Sequence, residues 1–317
     1  MATDDRPPRL HVVTGKGGTG KTTVAGALAL ALAGQGKRVL LVEVEGRQGL
    51  AQLFDTPPLP YSEIRLAATN RGKVTGLAVD AEAATLEYLE MFYSIKRAGS
   101  ALRRMGAIDF VTTIAPGLRD VLLTGKVKEA VTRTDSSGRP SFDAVVLDAP
   151  PTGRITQFLH ATSEVAGLTK MGPIHRQSKS VIDLLHSAQT QVHIVTLLEE
   201  MPVQETLDAA AELRAHGYRI GRVIVNRARP VLVAAGRPDE RLLAEGLAAA
   251  GLDAALAPVL ALEITAYGQR QDLQARAGAD LEQLGAPIDR LPDLAPPMDL
   301  GTLYELAEAL DVGTWSA

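Results

Sequence analysis

The chain has 317 residues, of which 46% are hydrophobic and 22% charged, with a formal net charge of -4 at pH 7. This balance predicts a globular protein and excludes a field strong enough to draw the whole molecule onto nucleic acid or an anionic membrane. The chain has no cysteine, which excludes disulfides, thiolate metal sites, iron–sulfur ligation and cysteine nucleophiles.

Short apolar runs alternate with helix-like stretches along the chain. The runs are apolar throughout rather than at every second residue, which is typical of parallel strands covered on both faces. The predicted strands are 10–14, 39–44, 74–79, 144–148, 192–197, 220–226 and 288–291. The predicted helices are 21–33, 202–216, 239–250, 264–277 and 300–310.

Two stretches, 81–133 and 155–189, do not fit the simple alternation and are interpreted as helical additions on one side of the sheet. The predicted fold class is therefore α/β, a doubly wound, mostly parallel sheet with helical insertions, in a single domain over 1–317. The start of the chain has no signal-peptide pattern, and the most apolar run, 24–33, is about half the length of a membrane span. We expect a cytoplasmic protein without stable membrane insertion.

A glycine-rich loop, GKGGTGKT, follows the first predicted strand and precedes the first predicted helix. Glycines let successive N–H groups point at phosphate oxygens, and the helix N-terminus adds a positive dipole end. Lys21 is predicted to reach the β- and γ-phosphates, and the Thr22 hydroxyl to bind Mg²⁺. The predicted nucleotide-binding residues of this loop are Gly15, Gly17, Gly18, Thr19, Gly20, Lys21, Thr22 and Thr23.

Lys16 is a second lysine in this loop, at a position that the bare phosphate-loop motif leaves free. GKGGTGKTT resembles the deviant Walker A pattern of ArsA-like ATPases, and the resemblance implies that the first lysine acts on the nucleotide of a second subunit. A second cation there would stabilise charge that develops on the transferred phosphoryl group. No other segment completes the motif, so such a lysine must come from another chain, identical or related. The alternative is a solvated lysine that only raises the local potential.

Two further strand ends carry acidic residues at the expected ligand edge of the sheet. Glu45 is the candidate to orient the attacking water, and its alternative role is to cap or solvate a loop. Asp148 is the candidate to hold Mg²⁺ through water, with 150–154 as a switch loop that senses the γ-phosphate. The stretch AVVLDAPPTGR resembles the DTAPTGH segment of ArsA-like ATPases, with Arg154 at the position of the histidine.

Asn226 ends another predicted strand, and its amide suits an adenine edge, although asparagine is also common in turns. An aspartate of the guanine-reading NKxD motif would stand at position 229, which is Arg229, so ATP is favoured over GTP. The resemblance implies that Pro258 and Val259, in a predicted late loop, line the same pocket. The predicted cofactors are thus ATP and Mg²⁺.

The resemblance extends over nearly the whole chain, and the chain is most similar to small actinobacterial ArsA-like ATPases. This resemblance implies an ATPase that works as a dimeric nucleotide switch, a homodimer or a heterodimer with a related ATPase chain. The alternative is a nucleotide-binding scaffold subunit with little turnover of its own. Apolar side chains between 86 and 110 form either a groove for a hydrophobic client or the core of a small subdomain. A third interpretation, a DNA-positioning ATPase, requires a basic stripe and strongly salt-dependent DNA binding, and no nucleic-acid partner is expected.

Overall fold

The computed structural model describes residues 7–44, 46, 48–80, 83–84, 116–168, 173–232, 238–310 and 312–316. Eight strands in this part of the chain form one sheet in the order β3-β4-β2-β5-β1-β6-β7-β8. The strands are β1 Leu10–Gly15, β2 Arg38–Glu43, β3 Ile64–Ala68, β4 Lys73–Ala78, β5 Ala144–Asp148, β6 Thr190–Thr196, β7 Ile220–Ala228 and β8 Ile288–Pro292.

All neighbouring strands pair parallel except β3, which runs antiparallel to β4 at the edge of the sheet. The strand order reverses at β1, which lies between β5 and β6. In open sheets of this type, ligands bind at such a reversal, outside the carboxyl ends of the strands. The loop after β1 is therefore at the position where the topology places a binding site.

Helices cover both faces of the sheet. They are α1 Lys21–Gly34, α2 Gly49–Leu53, α3 Pro116–Thr132, α4 Thr152–Leu168, α5 Pro173–Leu185, α6 Glu200–Ala215, α7 Glu240–Ala249, α8 Ala257–Glu282 and α9 Leu300–Ala309. Short 3₁₀ turns lie at Ala254–Leu256 and Val312–Ser316.

Alternate residues of the central strands enter two different cores. Val39 and Leu41 of β2 pack with the apolar residues of α1, α2 and α9. Leu40 and Val42 of the same strand pack with α3, α4 and α5 on the opposite face. Because both sets are buried, the strand reads as a continuous apolar run, which is the pattern that predicted a parallel sheet.

The predicted α/β class is confirmed, and the seven predicted strands lie within two residues of observed ones. Strand β3 was not predicted, because two of its five residues are exposed and only one is buried, so it lacks the uniformly apolar run of the other strands. The helix predicted at 264–277 is part of a longer one, α8. Of the helical addition predicted at 81–133, the structure describes residues 83–84 and 116–133, where α3 lies. The addition predicted at 155–189 contains most of α4 and all of α5.

Within the described residues, no helix is both long enough and apolar enough to cross a membrane.

Candidate nucleotide-binding site

The glycine loop lies at the carboxyl end of β1 and runs directly into α1. Gly18 and Gly20 have φ values of 89° and 87°, a left-handed conformation that side chains with a Cβ rarely adopt. An added Cβ at Gly17 or Gly18 would meet open space, whereas one on Gly15 would collide with the Val195 carbonyl of β6. The loop is thus pressed against the sheet at its start and open at its tip, as a phosphate cradle must be.

Asn226, at the carboxyl end of β7, supports the loop from below. Its amide Nδ2 donates to the carbonyl of Thr19 at 2.9 Å, and its Oδ1 accepts from the backbone N–H of Arg227 at 3.0 Å. Asn226 is buried, and its amide occupies the space that a Cβ on Gly20 would need. In this structure the amide therefore holds the loop, and its predicted contact with adenine stays a prediction.

Thr22 and Asp148, the two predicted Mg²⁺ residues, are brought together. The Thr22 hydroxyl donates to Oδ2 of Asp148 at 2.7 Å, across 126 residues of sequence. Lys21 is buried at the start of α1, and its Nζ donates to the carbonyl of Lys16 at 3.4 Å. A hydroxyl and a carboxylate at one point form the oxygen donor set that Mg²⁺ prefers.

These oxygens fit Mg²⁺ as part of a shared coordination shell. Among the residues that the structure describes, no group of three or more His, Cys, Asp or Glu could hold a metal ion. Protein-bound Mg²⁺ commonly uses one or two protein ligands and completes its shell with phosphate oxygens and water. Thr22 and Asp148 would supply the protein's share, and the nucleotide would supply part of the rest.

Glu43 is a buried acid at this edge that the sequence analysis did not select. It ends β2, pairs in register with Asp148 on β5, and is only 2% exposed. Its Oε2 accepts from the backbone N–H of Leu50 at 3.3 Å, while Oε1 has no hydrogen-bond partner in the described part of the chain. Register partners in a parallel sheet point to the same face, so two buried carboxylates share one side of this edge. Such an arrangement favours binding of a cation.

Lys16 does not extend into solvent. Its Nζ lies 2.6 Å from Oε1 of Glu205 on α6, and the two side chains are 30% and 37% exposed. The other oxygen of Glu205 accepts from the hydroxyl of Thr152 at 3.4 Å. Glu205 is a second site residue that the sequence analysis missed, because no local pattern connects it with position 16.

Of the predicted switch loop, residues 150–154, only Pro150 and Pro151 precede α4, because the helix begins at Thr152. The segment contacts β1 and α3, and it contacts α6 through the Thr152 hydroxyl. The Thr14 hydroxyl of β1 donates to the carbonyl of Pro150 at 2.7 Å. Arg154 at the start of α4 lies 3.9 Å from Asp120 of α3. Burial raises the pKa of Asp120 above its usual value, and the charges of Arg154 and Arg119 counteract this rise.

Glu45 lies outside the described residues, as do all of the apolar side chains predicted between 86 and 110, so their roles stay predictions. The segment after Glu45 is anchored by Gln48, whose side-chain Oε1 accepts from the backbone N–H of Leu59 at 2.7 Å. The loop predicted at Pro258 and Val259 was wrong: both residues lie in the first turn of α8 and are exposed. A proline in the first turn of a helix leaves no required N–H unpaired, so it starts this helix rather than breaking it.

A buried strand, a glycine loop with left-handed backbone and a helix at the reversal of a parallel sheet define a P-loop nucleoside triphosphatase fold. Residues 9–186 match the model of the ArsA ATPase family, described as anion-transporting ATPases. The match covers more than half of the chain, which therefore belongs to this family.

Mycobacterial relatives are similar over nearly their whole length, and a more distant relative is similar over less than half of its own length. BagA, an ATPase of Mycobacterium tuberculosis, is 54% identical over 314 residues, which cover 95% of this chain and 92% of BagA. A protein of Mycobacterium bovis aligns with the same identity and coverage. An arsenical pump-driving ATPase of Escherichia coli is 28% identical over 250 residues, which cover 72% of this chain and 41% of that protein. The predicted resemblance is confirmed, and membership of the family supports nucleotide-binding ATPase activity.

Proposed function

We propose that this chain is a Mg²⁺-dependent ATPase whose turnover is completed by a second chain. The contact between Thr22 and Asp148, 2.7 Å across the end of the sheet, is the observation that carries the Mg²⁺-dependent activity, and the second lysine of the loop, Lys16, is the reason for the second chain. The contact of Thr22 with Asp148 joins the residue after Lys21 to the acid at the end of β5, the two positions that hold Mg²⁺ in P-loop enzymes. Bound Mg²⁺ would neutralise charge on the phosphates.

The groups of the chain have separate tasks in this proposal. Backbone N–H groups of the glycine loop and the N-terminus of α1 bind the phosphates, and Lys21 neutralises the terminal ones. Glu45 orients water for in-line attack. Lys16 reaches the nucleotide of the second chain and stabilises the charge of its transition state.

The second chain is an identical copy or a related ATPase. Its association with the nucleotide-bound form, followed by release after hydrolysis, makes the nucleotide a switch. The switch loop next to Arg154 touches α3, the helix that follows the segment predicted to hold a hydrophobic client. This contact supports the idea that the nucleotide state acts on a client.

Lys21→Ala and Thr22→Ala test the site, and Lys16→Ala tests the role of the second chain. We expect Lys21→Ala to weaken ATP binding at least tenfold in calorimetry, because the phosphates lose their main cation. Lys16→Ala should keep ATP binding and lower turnover by at least about 100-fold, since a cation supplied in trans contributes about 10³- to 10⁵-fold in related reactions.

Lys179→Ala is the matched control, because Lys179 is exposed on α5. Turnover that is unaffected by Lys21→Ala contradicts the site. Turnover that survives Lys16→Ala, or a specific activity that does not change when the protein is diluted as a monomer, contradicts completion by a second chain. ATP binding without measurable turnover favours a scaffold role.

A further inference from the structure

The ion pair between Lys16 and Glu205 fixes the loop lysine within its own chain. The distance between Nζ of Lys16 and Oε1 of Glu205 is 2.6 Å, although Glu205, on α6, lies 189 positions further along the chain. A lysine that acts on a second chain's nucleotide must leave this partner. The pair therefore competes with the proposed function of Lys16.

The same carboxylate also contacts the switch loop. While Oε1 binds Lys16, Oε2 accepts the Thr152 hydroxyl hydrogen at 3.4 Å. Thr152 is buried at the start of α4, directly after the two prolines that follow Ala149. A displacement of this loop by the nucleotide would remove one contact of the carboxylate that holds Lys16.

We propose that Glu205 is a positioning residue that keeps Lys16 in its own chain until nucleotide binding and association of a second chain release it. This inference depends on the proposed role of Lys16 in trans. Glu205 sets how readily the lysine becomes available, and Thr152 connects that availability to the switch loop.

The ion pair is weak enough that it shifts the equilibrium of Lys16 between bound and released positions without holding the lysine permanently. Both side chains are about one third exposed, and ion pairs of this kind shift an equilibrium by about 1.5- to fivefold. A buried pair would disfavour the released lysine far more strongly, since breaking such a pair is more costly.

Competitive acetylation of lysines in the nucleotide-free protein, read by mass spectrometry, tests whether the pair holds Lys16. Glu205→Gln keeps the size of the side chain and removes its charge. We expect it to raise the labelling rate of Lys16 about 1.5- to fivefold relative to exposed Lys179. Glu212→Gln, at an exposed position of the same helix, is the matched control and should change nothing.

Association and turnover with Mg²⁺ and ATP test the consequence. Glu205→Gln should strengthen nucleotide-dependent association by a similar factor, and Thr152→Val should change it in the same direction. Neither change should have an effect in the Lys16→Ala background, where there is no lysine to hold. If Glu205 has only a structural role, Glu205→Gln would have the same effect on association and turnover in the Lys16→Ala background.

Two failures can be told apart. If Lys16→Ala abolishes turnover but Glu205→Gln leaves both Lys16 labelling and association unchanged, the inference about Glu205 is wrong and the proposed function stands. If Lys16→Ala leaves turnover intact, the role in trans is wrong and the inference falls with it. Equal effects of Glu205→Gln with and without Lys16 also overturn the inference.

Discussion

A decrease from about pH 7.5 to about pH 5.5 is expected to destabilise the fold through two buried histidines. His11 on β1 and His193 on the adjacent β6 are 2% and 0% exposed, and Nδ1 of one lies 3.0 Å from Nε2 of the other. Burial lowers the pKa of His11 from 6.5 to about 3, and the charge of Lys37 adds to this decrease. Burial, followed by the charges of His11 and Arg222, lowers the pKa of His193 well below its usual value.

The sign of the effect follows from proton binding. Below a pH of about 6.5 the unfolded chain protonates both histidines, while the folded chain keeps them neutral, so acid favours the unfolded state. Each histidine then contributes a slope of about 1.4 kcal/mol per pH unit. At pH 5.5 the loss is about 1.4 kcal/mol for each, or about 3 kcal/mol for the pair, which is a large part of the 5–15 kcal/mol typical of domains.

Urea unfolding at several pH values measures this loss. Trp315 is the only tryptophan in the sequence, and its ring centroid lies 4.9 Å from that of His193, so its fluorescence reports on this region of the core. The double variant His11→Gln/His193→Gln should remove most of the pH dependence, whereas His216→Gln, at an exposed position, should leave it intact. A free energy of unfolding that stays constant between these pH values, or an equal loss in the double variant, would refute the reasoning.

Three further substitutions test other parts of the structure. Glu43→Gln removes one of two buried carboxylates, so it should raise the free energy of unfolding without metal and weaken Mg²⁺ binding in the nucleotide complex about tenfold. Glu305→Gln, at an exposed position, is the control. An unchanged Mg²⁺ affinity in calorimetry contradicts a role of Glu43 near the metal. Gly20→Ala should destabilise the fold by about 1–3 kcal/mol in urea unfolding, because the added Cβ meets the Asn226 amide and the backbone at this position is left-handed. Gly17→Ala is the control, since its Cβ meets open space and stability should change little. Equal effects of the two substitutions would contradict this account of the loop. Trp315→Ala should lower the free energy of unfolding by about 3–5 kcal/mol, because Trp315 is 7% exposed and its ring packs against His193 and Arg222. Circular dichroism during urea unfolding measures this change, and a decrease below about 1 kcal/mol would contradict the place of Trp315 in the core.

The sequence predicted the elements whose burial is uniform. Strands such as β2 are apolar on both faces because two layers of helices cover them, and that makes them visible without any knowledge of the fold. The edge strand β3 was not predicted because two of its five residues are exposed and only one is buried. The start of α8 escaped because Pro258 suggested a loop, although proline is also favoured in the first turn of a helix.

The candidate site was predictable where the chemistry is local. Lys21 and Thr22 stand in one short motif, and Asp148 ends a recognisable strand, so they could be proposed as site residues before the contact of Thr22 with Asp148 was known. The contact of Glu205 with Lys16, and that of Asn226 with the Thr19 carbonyl, could not be predicted in this way, because each reaches the loop from a distant part of the chain. Their roles follow from packing, which brings α6 and the end of β7 against a loop at the centre of the sheet.

The segment from Pro150 to Arg154 connects the glycine loop region with α6 and α3. It is bonded to β1 through Thr14, to α6 through Thr152 and Glu205, and it lies close to Asp120 of α3 through Arg154. A displacement of this short segment would alter the contacts of Glu205 and of Asp120 together, because both are made by residues of the same segment. If the nucleotide moves this segment, the proposed release of Lys16 and a change at α3, the helix next to the predicted client segment, would occur together.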